Sequence, residues 1–197
     1  IVSPMNVPKR LKTVRAWDLA STEPNELYPN PDYTAGVKMS LCEDGFYYVE
    51  HVIRDRKAPA KMQQIMLDIA KRDGKACKVF IPKDVGAAGV VAYQTWSRPF
   101  VMSGFKVGKL ETRKGKFERF MGFANAVENG LVKVVSGSWN DAFFAELEMF
   151  TEDHKNLKCD QVDATSDAFL QLSNSRTLPD KFKFNPSKMT QVNRFLV

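Results

Sequence analysis

Four aspartates at the ends of predicted elements are the residues whose type and spacing indicate chemistry. Asp18 ends the first predicted strand, Asp84 follows the fourth, and Asp160 opens the last predicted helix with Asp163 one turn further on. Carboxylate oxygens are the ligands that hard divalent cations such as Mg²⁺ prefer. Two such ions about 4 Å apart activate a water molecule and stabilise the leaving oxygen in phosphodiester cleavage. The pattern predicts Asp18, Asp84 and Asp160 as catalytic residues and metal ligands, with Asp160 nearer to Asp18 than Asp163 is. Asp163 is expected to be a further ligand or an acid just behind the ligands, and Asp167, two turns along the same stripe of the helix, is expected to lie too far away.

Each of these aspartates also has a structural explanation. Asp18 can simply end a strand, and Asp84 can cap the turn at Gly86. Asp160 is of the residue type that caps helix N-termini. Taken singly, each is more often structural, and it is their joint occurrence at the ends of separate elements that favours a metal site.

The elements predicted between these acids determine whether the acids can meet. Strands are predicted over 12–20, 33–41, 46–53, 77–82 and 105–110, a short strand over 131–135, and helices over 59–73, 90–97, 117–129, 139–150 and 160–172. A hairpin-joined triplet of strands followed by alternating elements implies a mixed sheet covered by helices. This order fits an α/β protein of the ribonuclease H-like fold. We expect one domain over 1–175 and an irregular C-terminal extension over 176–197.

Composition narrows the class of protein. With 44% hydrophobic and 26% charged residues, the chain has the balance of a soluble globular domain. Its apolar runs are far shorter than the ~20 residues that cross a bilayer, so no membrane association is expected. No basic and then apolar run opens the given sequence, so secretion is not expected, and the three widely spaced cysteines fit a reducing cytoplasm rather than a zinc site. A net charge of +6 favours a polyanionic partner, although many soluble proteins are equally basic.

A basic segment lies between the second and fourth acids. It has six cations within fourteen residues, and these are Lys106, Lys109, Arg113, Lys114, Lys116 and Arg119. Such a segment can hold nucleic-acid phosphates beside the acidic site, or it can be a solvated strand and turn without a partner. Its place in the chain favours nucleic acid. The tail cations Lys181, Lys183, Lys188 and Arg194 can add to the same surface.

Two other features have simpler explanations. His51 lies within an aromatic strand and is expected to be a packed or surface residue, whereas His154 can approach the metal site. The turn at Gly86–Gly89 lacks the Gly-Lys-Ser/Thr ending of a phosphate-binding loop, so we do not expect this chain to hydrolyse ATP.

Several motifs carry a family resemblance over residues 12–172. They are Arg15-Ala-Trp-Asp-Leu-Ala20, Asp32-Tyr-Thr-Ala-Gly-Val37, Asp84-Val-Gly-Ala-Ala-Gly89, Lys116 with Arg119, and Asp160-Gln-Val-Asp-Ala164. In this order they resemble the nuclease domain of the large terminase subunit, the DNA-packaging protein of tailed bacteriophages. The family often has glutamate at the place of Asp84, and an additional aspartate at the place of Cys159.

The resemblance implies an activity and its surroundings. It implies an endonuclease that cuts concatemeric viral DNA with Mg²⁺ or Mn²⁺, with two ions bound at Asp18, Asp84 and Asp160. It implies double-stranded DNA as the substrate, and an N-terminal ATPase domain, a portal and a small terminase subunit as partners. The protein would then act in the cytoplasm of the infected bacterial host.

Two alternatives remain open from the sequence. The same fold and acids suit a Holliday-junction resolvase, which would prefer junction DNA to linear duplex. A nucleic-acid-binding or assembly module that has lost its metals would bind DNA without cutting it.

Overall fold

Six strands form one mixed sheet in the computed structural model, which describes residues 1–20, 24–27, 29–111, 115–151, 153 and 158–174. They are β1 (Arg10–Asp18), β2 (Thr34–Cys42), β3 (Tyr47–Asp55), β4 (Cys77–Pro82), β5 (Val107–Leu110) and β6 (Val132–Val134). The order across the sheet is β5-β4-β1-β2-β3-β6. The predicted mixed sheet is confirmed.

The strand directions place several loops at one edge of the sheet. β1, β2 and β3 pair antiparallel, whereas β4 and β5 run parallel to β1, and β6 runs parallel to β3. The strands β1, β3, β4, β5 and β6 therefore all have their C-terminal ends along one border of the sheet, and β2 begins there. We call this border, which runs across the strands, the edge of the sheet. Asp18, at the end of β1, lies near the middle of this edge because β1 is a central strand.

Helices cover both faces of the sheet. They are α1 (Pro59–Asp73), α2 (Ala87–Met102), α3 (Lys116–Glu128), α4 (Asn140–Met149) and α5 (Asp160–Ser173), and a 3₁₀ turn spans Pro4–Asn6. No helix among the described residues is long and apolar enough to span a membrane. The predicted extension over 176–197 lies outside the described residues.

The alternation of side chains along β1 decides which face Asp18 occupies. Ala16 packs in a core cluster with α5, whereas Trp17 packs in a second cluster with α1 and α2. Successive residues of a strand point to opposite faces, so Asp18 shares the face of Ala16. The residue that ends β1 is therefore directed toward α5.

One helix is longer than predicted. The helix was predicted over 90–97, and Pro99 follows, a residue type that removes a backbone donor from a helix. The helix instead continues through Pro99 to Met102, and Phe100 is fully buried in the core. Packing of this last turn outweighs the local cost of the proline.

Candidate active site

A cleft opens at the edge where β1 and β4 end. It has a volume of about 610 Å³, and its lining includes the carboxylates Asp18, Asp84, Glu111, Asp163 and Asp167 and the cations Lys83, Lys116 and Arg119. The acids come from β1, the loop after β4, the end of β5 and α5. The structure thus brings together segments that are far apart in the sequence.

Asp18 lies in this cleft beside other acids, and its charge is opposed only partly among the described residues. Burial, followed by the charges of Asp163 and Asp160, raises the pKa of Asp18 to about 7, and the Lys116 ammonium opposes that rise. Within the described residues, no hydrogen-bond donor or ion-pair partner reaches the Asp18 carboxyl. The carboxyl is therefore held beside like charges, which is favourable only when a cation is added.

The turn that carries Asp84 depends on two glycines. Gly86 precedes α2 with φ of 92°, a conformation that side chains other than glycine rarely adopt. A Cβ on Gly89 would overlap the backbone carbonyl of Asp84, so the first turn of α2 folds tightly against that residue. The tight turn expected at Gly86–Gly89 thus serves to hold the exposed Asp84 at the rim of the cleft.

The two cleft acids of α5 are paired with cations of α3. Arg119 donates to Asp163 at 2.6 Å and to Asp167 at 2.8 Å, and the Lys116 ammonium also contacts Asp163. Burial lowers the pKa of Lys116, but the hydrogen bond to Asp163 and the negative charges of Asp163 and Asp18 together leave that pKa above its usual value. Burial raises the pKa of Asp167.

Asp160 occupies a different environment from Asp163. Its carboxylate accepts a hydrogen bond from the backbone N–H of Tyr33 at 2.9 Å, and burial raises its pKa. Asp160 was expected to lie nearer to Asp18 than Asp163, but Asp163 lines the cleft and exerts the larger effect on Asp18. Asp167, which was expected to lie too far away, also lines the cleft. Asp160, at the start of α5, thus contacts the residue before β2. Asp163 and Asp167, further along the same helix, are the residues that face the cleft.

Glu146 of α4 is a residue that sequence reasoning missed. Its carboxylate accepts hydrogen bonds from the backbone N–H groups of Gln161 at 2.6 Å and Val162 at 3.1 Å. It therefore caps the N-terminus of α5 and fixes the helix that carries Asp163. A cap from another helix, fifteen residues earlier in the chain, has no sequence signature of the kind a capping box provides.

The predicted basic segment divides into parts. Lys106 and Lys109 are exposed on β5 and the residue before it, whereas Arg113 and Lys114 lie outside the described residues. Lys116 is half exposed, but the Arg119 side chain is only 8% exposed. Arg119 therefore forms ion pairs with the acids of α5 and is not available on an exposed surface.

The two histidines fall in different parts of the chain. His51 is partly buried and its Nδ1 lies 3.2 Å from an Arg15 nitrogen, so it is a packed residue. Burial and the charge of Arg15 lower its pKa to about 4. His154 lies outside the described residues.

The cleft residues fit a hard divalent cation. Their donors are carboxylate oxygens, and the Lys116 ammonium, which contacts Asp163 and acts on Asp18, shows that a positive charge is favourable there. In the part of the chain that the structure describes, no three acidic, histidine or cysteine side chains already stand at metal-ligand spacing. Binding of an ion would therefore have to draw Asp18, Asp84 and Asp163 together.

The sheet order, the helices on both faces and the carboxylates at the end of the central strand define the ribonuclease H-like class of fold. The sequence model of the terminase RNaseH-like domain matches residues 15–172. The chain therefore belongs to the family of terminase RNaseH-like domains. A comparison with curated proteins gives no match.

Solved structures of similar fold include terminase nucleases. The large terminase nuclease of thermophilic phage G20c with bound magnesium has a TM-score of 0.56 and 17% identity, over 84% of this chain and 85% of that chain. The same phage nuclease with bound zinc has a TM-score of 0.56 and 16% identity over the same shares. The human cytomegalovirus terminase nuclease domain, soaked with manganese, has a TM-score of 0.50 and 9% identity, over 82% of this chain and 83% of that chain.

Proposed function

We propose that this chain is the metal-dependent endonuclease domain of a DNA-packaging terminase, and that it hydrolyses phosphodiester bonds of concatemeric viral DNA. The observation that carries the proposal is the partly buried Asp18 carboxyl, which shares one cleft with Asp84 and Asp163 and has no ion pair or hydrogen bond among the described residues. A purely structural carboxyl in that position would be paired, because an unpaired buried charge is costly. Family membership supports the same conclusion.

The roles of the acids follow from their positions. Asp18, Asp84 and Asp163 would hold Mg²⁺ or Mn²⁺, which when bound supplies an activated water and stabilises the leaving oxygen. We propose two ions. Asp160 stays in this proposal as an acid that acts on Asp18 from the first turn of α5.

The remaining cleft residues position these acids. Arg119 bridges Asp163 and Asp167 and so fixes the side of α5 that faces Asp18. Lys116 is half exposed and can exchange its contact with Asp163 for a DNA phosphate when an ion binds. Exposed Lys106 and Lys109 can contact the DNA backbone further out, as Arg113 and Lys114 were also predicted to do.

The substrate and setting complete the proposal. The substrate would be double-stranded DNA, cut with little sequence preference. An N-terminal ATPase domain, a portal and a small terminase subunit would be the partners, and the host cytoplasm would be the site of action. The nuclease domain would comprise 1–175.

A plasmid-cleavage assay tests this function. We expect the protein to nick supercoiled plasmid with Mn²⁺ or Mg²⁺ and to be inactive in EDTA. We expect Asp18→Asn to reduce the rate by more than about 100-fold, because changes even beyond the direct ligands of a metal cost 10–100-fold. Asp68→Asn, at an exposed acid of α1, is the matched control and should cut like the wild type. Cleavage in EDTA, or equal loss in both variants, would contradict the proposal.

A further inference from the structure

Two arginine side chains lie over one aromatic ring, that of Tyr33. The guanidinium carbon of Arg56 lies 3.7 Å from the centroid of the Tyr33 ring, and that of Arg54 lies 4.8 Å from it. Lys57 follows Arg56 in the chain, and its side chain is half exposed. We call these four residues the Tyr33 surface.

The Tyr33 surface lies at the same edge of the sheet as the acids. Arg54, Arg56 and Lys57 occupy the end of β3 and the residues after it, and β3 ends at the edge where β1 ends. The backbone N–H of Tyr33 donates to Asp160 of α5. Because β2 and β3 lie on one side of β1 and β4 and β5 on the other, this surface flanks the cleft opposite to Lys83 and Lys109.

The cations of this surface are only partly compensated. Among the described residues Arg54 forms one ion pair, with Glu146 at 3.5 Å, and its side chain is 35% exposed. Arg56 has no ion pair among the described residues, and its buried Nε has no hydrogen-bond partner there. The contact of Lys57 with Asp55 is long, at 3.8 Å. The surface therefore has positive charge available for a partner.

An arginine that is stacked on an aromatic ring is well placed to bind a phosphate group. A cation–π contact holds the guanidinium in place without neutralising it. The planar group keeps N–H donors at its edge, and their spacing matches phosphate oxygens. Two such groups on one ring form a pre-ordered site for a polyanion.

We propose that the Tyr33 surface binds backbone phosphates of the double-stranded DNA substrate, on the side of the cleft opposite to β5. This inference rests on the proposed nuclease function. A cleft whose lining has five carboxylates against three cations repels DNA, and cations on one flank alone would hold the duplex at an angle to the acids. With cations on both flanks, the duplex crosses the acids and one phosphodiester lies over them.

Salt-dependent DNA binding tests the inference. Binding of a fluorescently labelled linear duplex is measured by anisotropy over a series of salt concentrations, with Ca²⁺ in place of Mg²⁺. We expect the Arg54→Gln/Arg56→Gln variant to bind at least about 10-fold more weakly at low salt, and its slope of log affinity against log salt to fall by about two units. Arg56→Gln alone should lower the slope by about one unit, without touching the Arg54–Glu146 pair that adjoins α5.

Two further variants make the result specific. Lys9→Gln/Arg72→Gln removes two exposed charges from the opposite edge of the sheet and should leave the slope unchanged. Arg54→Lys/Arg56→Lys retains the charge and should keep the slope while it loses part of the affinity. An unchanged slope in Arg56→Gln, or an equal change in the Lys9/Arg72 control, overturns the inference.

The same measurements separate this inference from the proposed function. If the wild type neither binds the duplex nor nicks plasmid, the nuclease function itself is wrong. If the wild type nicks plasmid and the Arg54/Arg56 variant binds with the wild-type slope, only the Tyr33 surface is wrong.

Discussion

The two faces of the sheet each contain a network of charged residues, and the two networks are compensated to different degrees. On the face covered by α1, Arg15 is 1% exposed and forms an ion pair with Asp73. It also donates to the Gly36 carbonyl and to His51, both at 3.2 Å. On the face covered by α5, Asp18 has neither an ion pair nor a hydrogen bond among the described residues.

The α1-side network balances each carboxylate with cations. Glu50 accepts from Arg10 at 2.7 Å and lies 3.4 Å from Lys38, which also lies 3.6 Å from Asp73. In such a network the charges stabilise the fold without needing a ligand. The comparison teaches that buried charge alone does not identify a site. The informative feature is a carboxyl that has neither an ion pair nor a hydrogen bond among the described residues and lies beside other acids.

The largest expected effect is on stability, from Arg15→Gln. This change leaves the Asp73 carboxylate buried without its main partner, so we expect the free energy of unfolding to fall by about 3–5 kcal/mol. Urea denaturation measures it. Arg15→Met/Asp73→Leu, which removes both charges, should recover most of the loss. Below its melting temperature the single variant should still cut plasmid, unlike Asp18→Asn. A folded but inactive Arg15→Gln would contradict the purely structural role of the α1-side network.

The next effect ranks the acids of α5. Because Asp163 lines the cleft and Asp160 bonds to the Tyr33 backbone, we expect Asp163→Asn to lower the cleavage rate by more than about 100-fold and Asp160→Asn by less than about 10-fold. Initial rates of plasmid nicking in Mn²⁺ measure this. Circular dichroism controls for folding, since Asp163 also pairs with Arg119. Equal losses would restore Asp160 as a direct ligand.

The smallest effect concerns how the free energy of unfolding of the metal-free protein depends on pH, where His51 and Asp18 should act in opposite directions. The pKa of His51 is lowered to about 4, so the unfolded chain binds its proton first, and stability is lost as the pH falls from 6.5 to 4. The pKa of Asp18 is raised to about 7, so the folded protein binds the proton first, and stability is gained as the pH falls from 7 to 4. The full shifts correspond to about 3–4 kcal/mol each, and solvent screening of these partly exposed groups reduces each contribution to about 1–3 kcal/mol.

Unfolding in EDTA at several pH values separates the two groups. His51→Gln should lose less stability than the wild type on acidification. Asp18→Asn should exceed the wild type most at pH 8, with an advantage that shrinks as the wild-type carboxyl protonates. If stability against pH ran parallel to the wild-type curve in both variants, the surroundings of His51 and Asp18 would not shift their pKa values in opposite directions.

Local sequence signals were sufficient to predict most of the elements. Pro59 and Gly74 delimit α1 because proline suits the first turn, and Gly74, with φ of 83°, suits the residue after the last. Asp18 ends β1 as predicted. Each of these signals acts within a few residues, which is the range over which backbone preferences operate.

The details of the site depend on contacts that have no local signal. Arg15 and Asp73 are 58 residues apart, and Glu146 reaches α5 from another helix. The stripe of Asp160, Asp163 and Asp167 could be predicted, but its position along the cleft depends on where α5 packs beside α3. One turn of helix, about 5.4 Å, is enough to exchange Asp160 for Asp163.

The position of α5 in the chain also has a consequence for the order of events during synthesis. This helix packs on β1 and β2, and Lys12 contacts the carbonyl of Gln171 across 159 residues of sequence. A ribosome-bound chain that has not yet reached Asp160 can form the antiparallel meander of β1, β2 and β3, but it lacks Asp163 and Asp167. Under the proposed function, a growing chain is therefore unable to cut DNA, and nuclease activity begins only when the last described helix docks on the first strand.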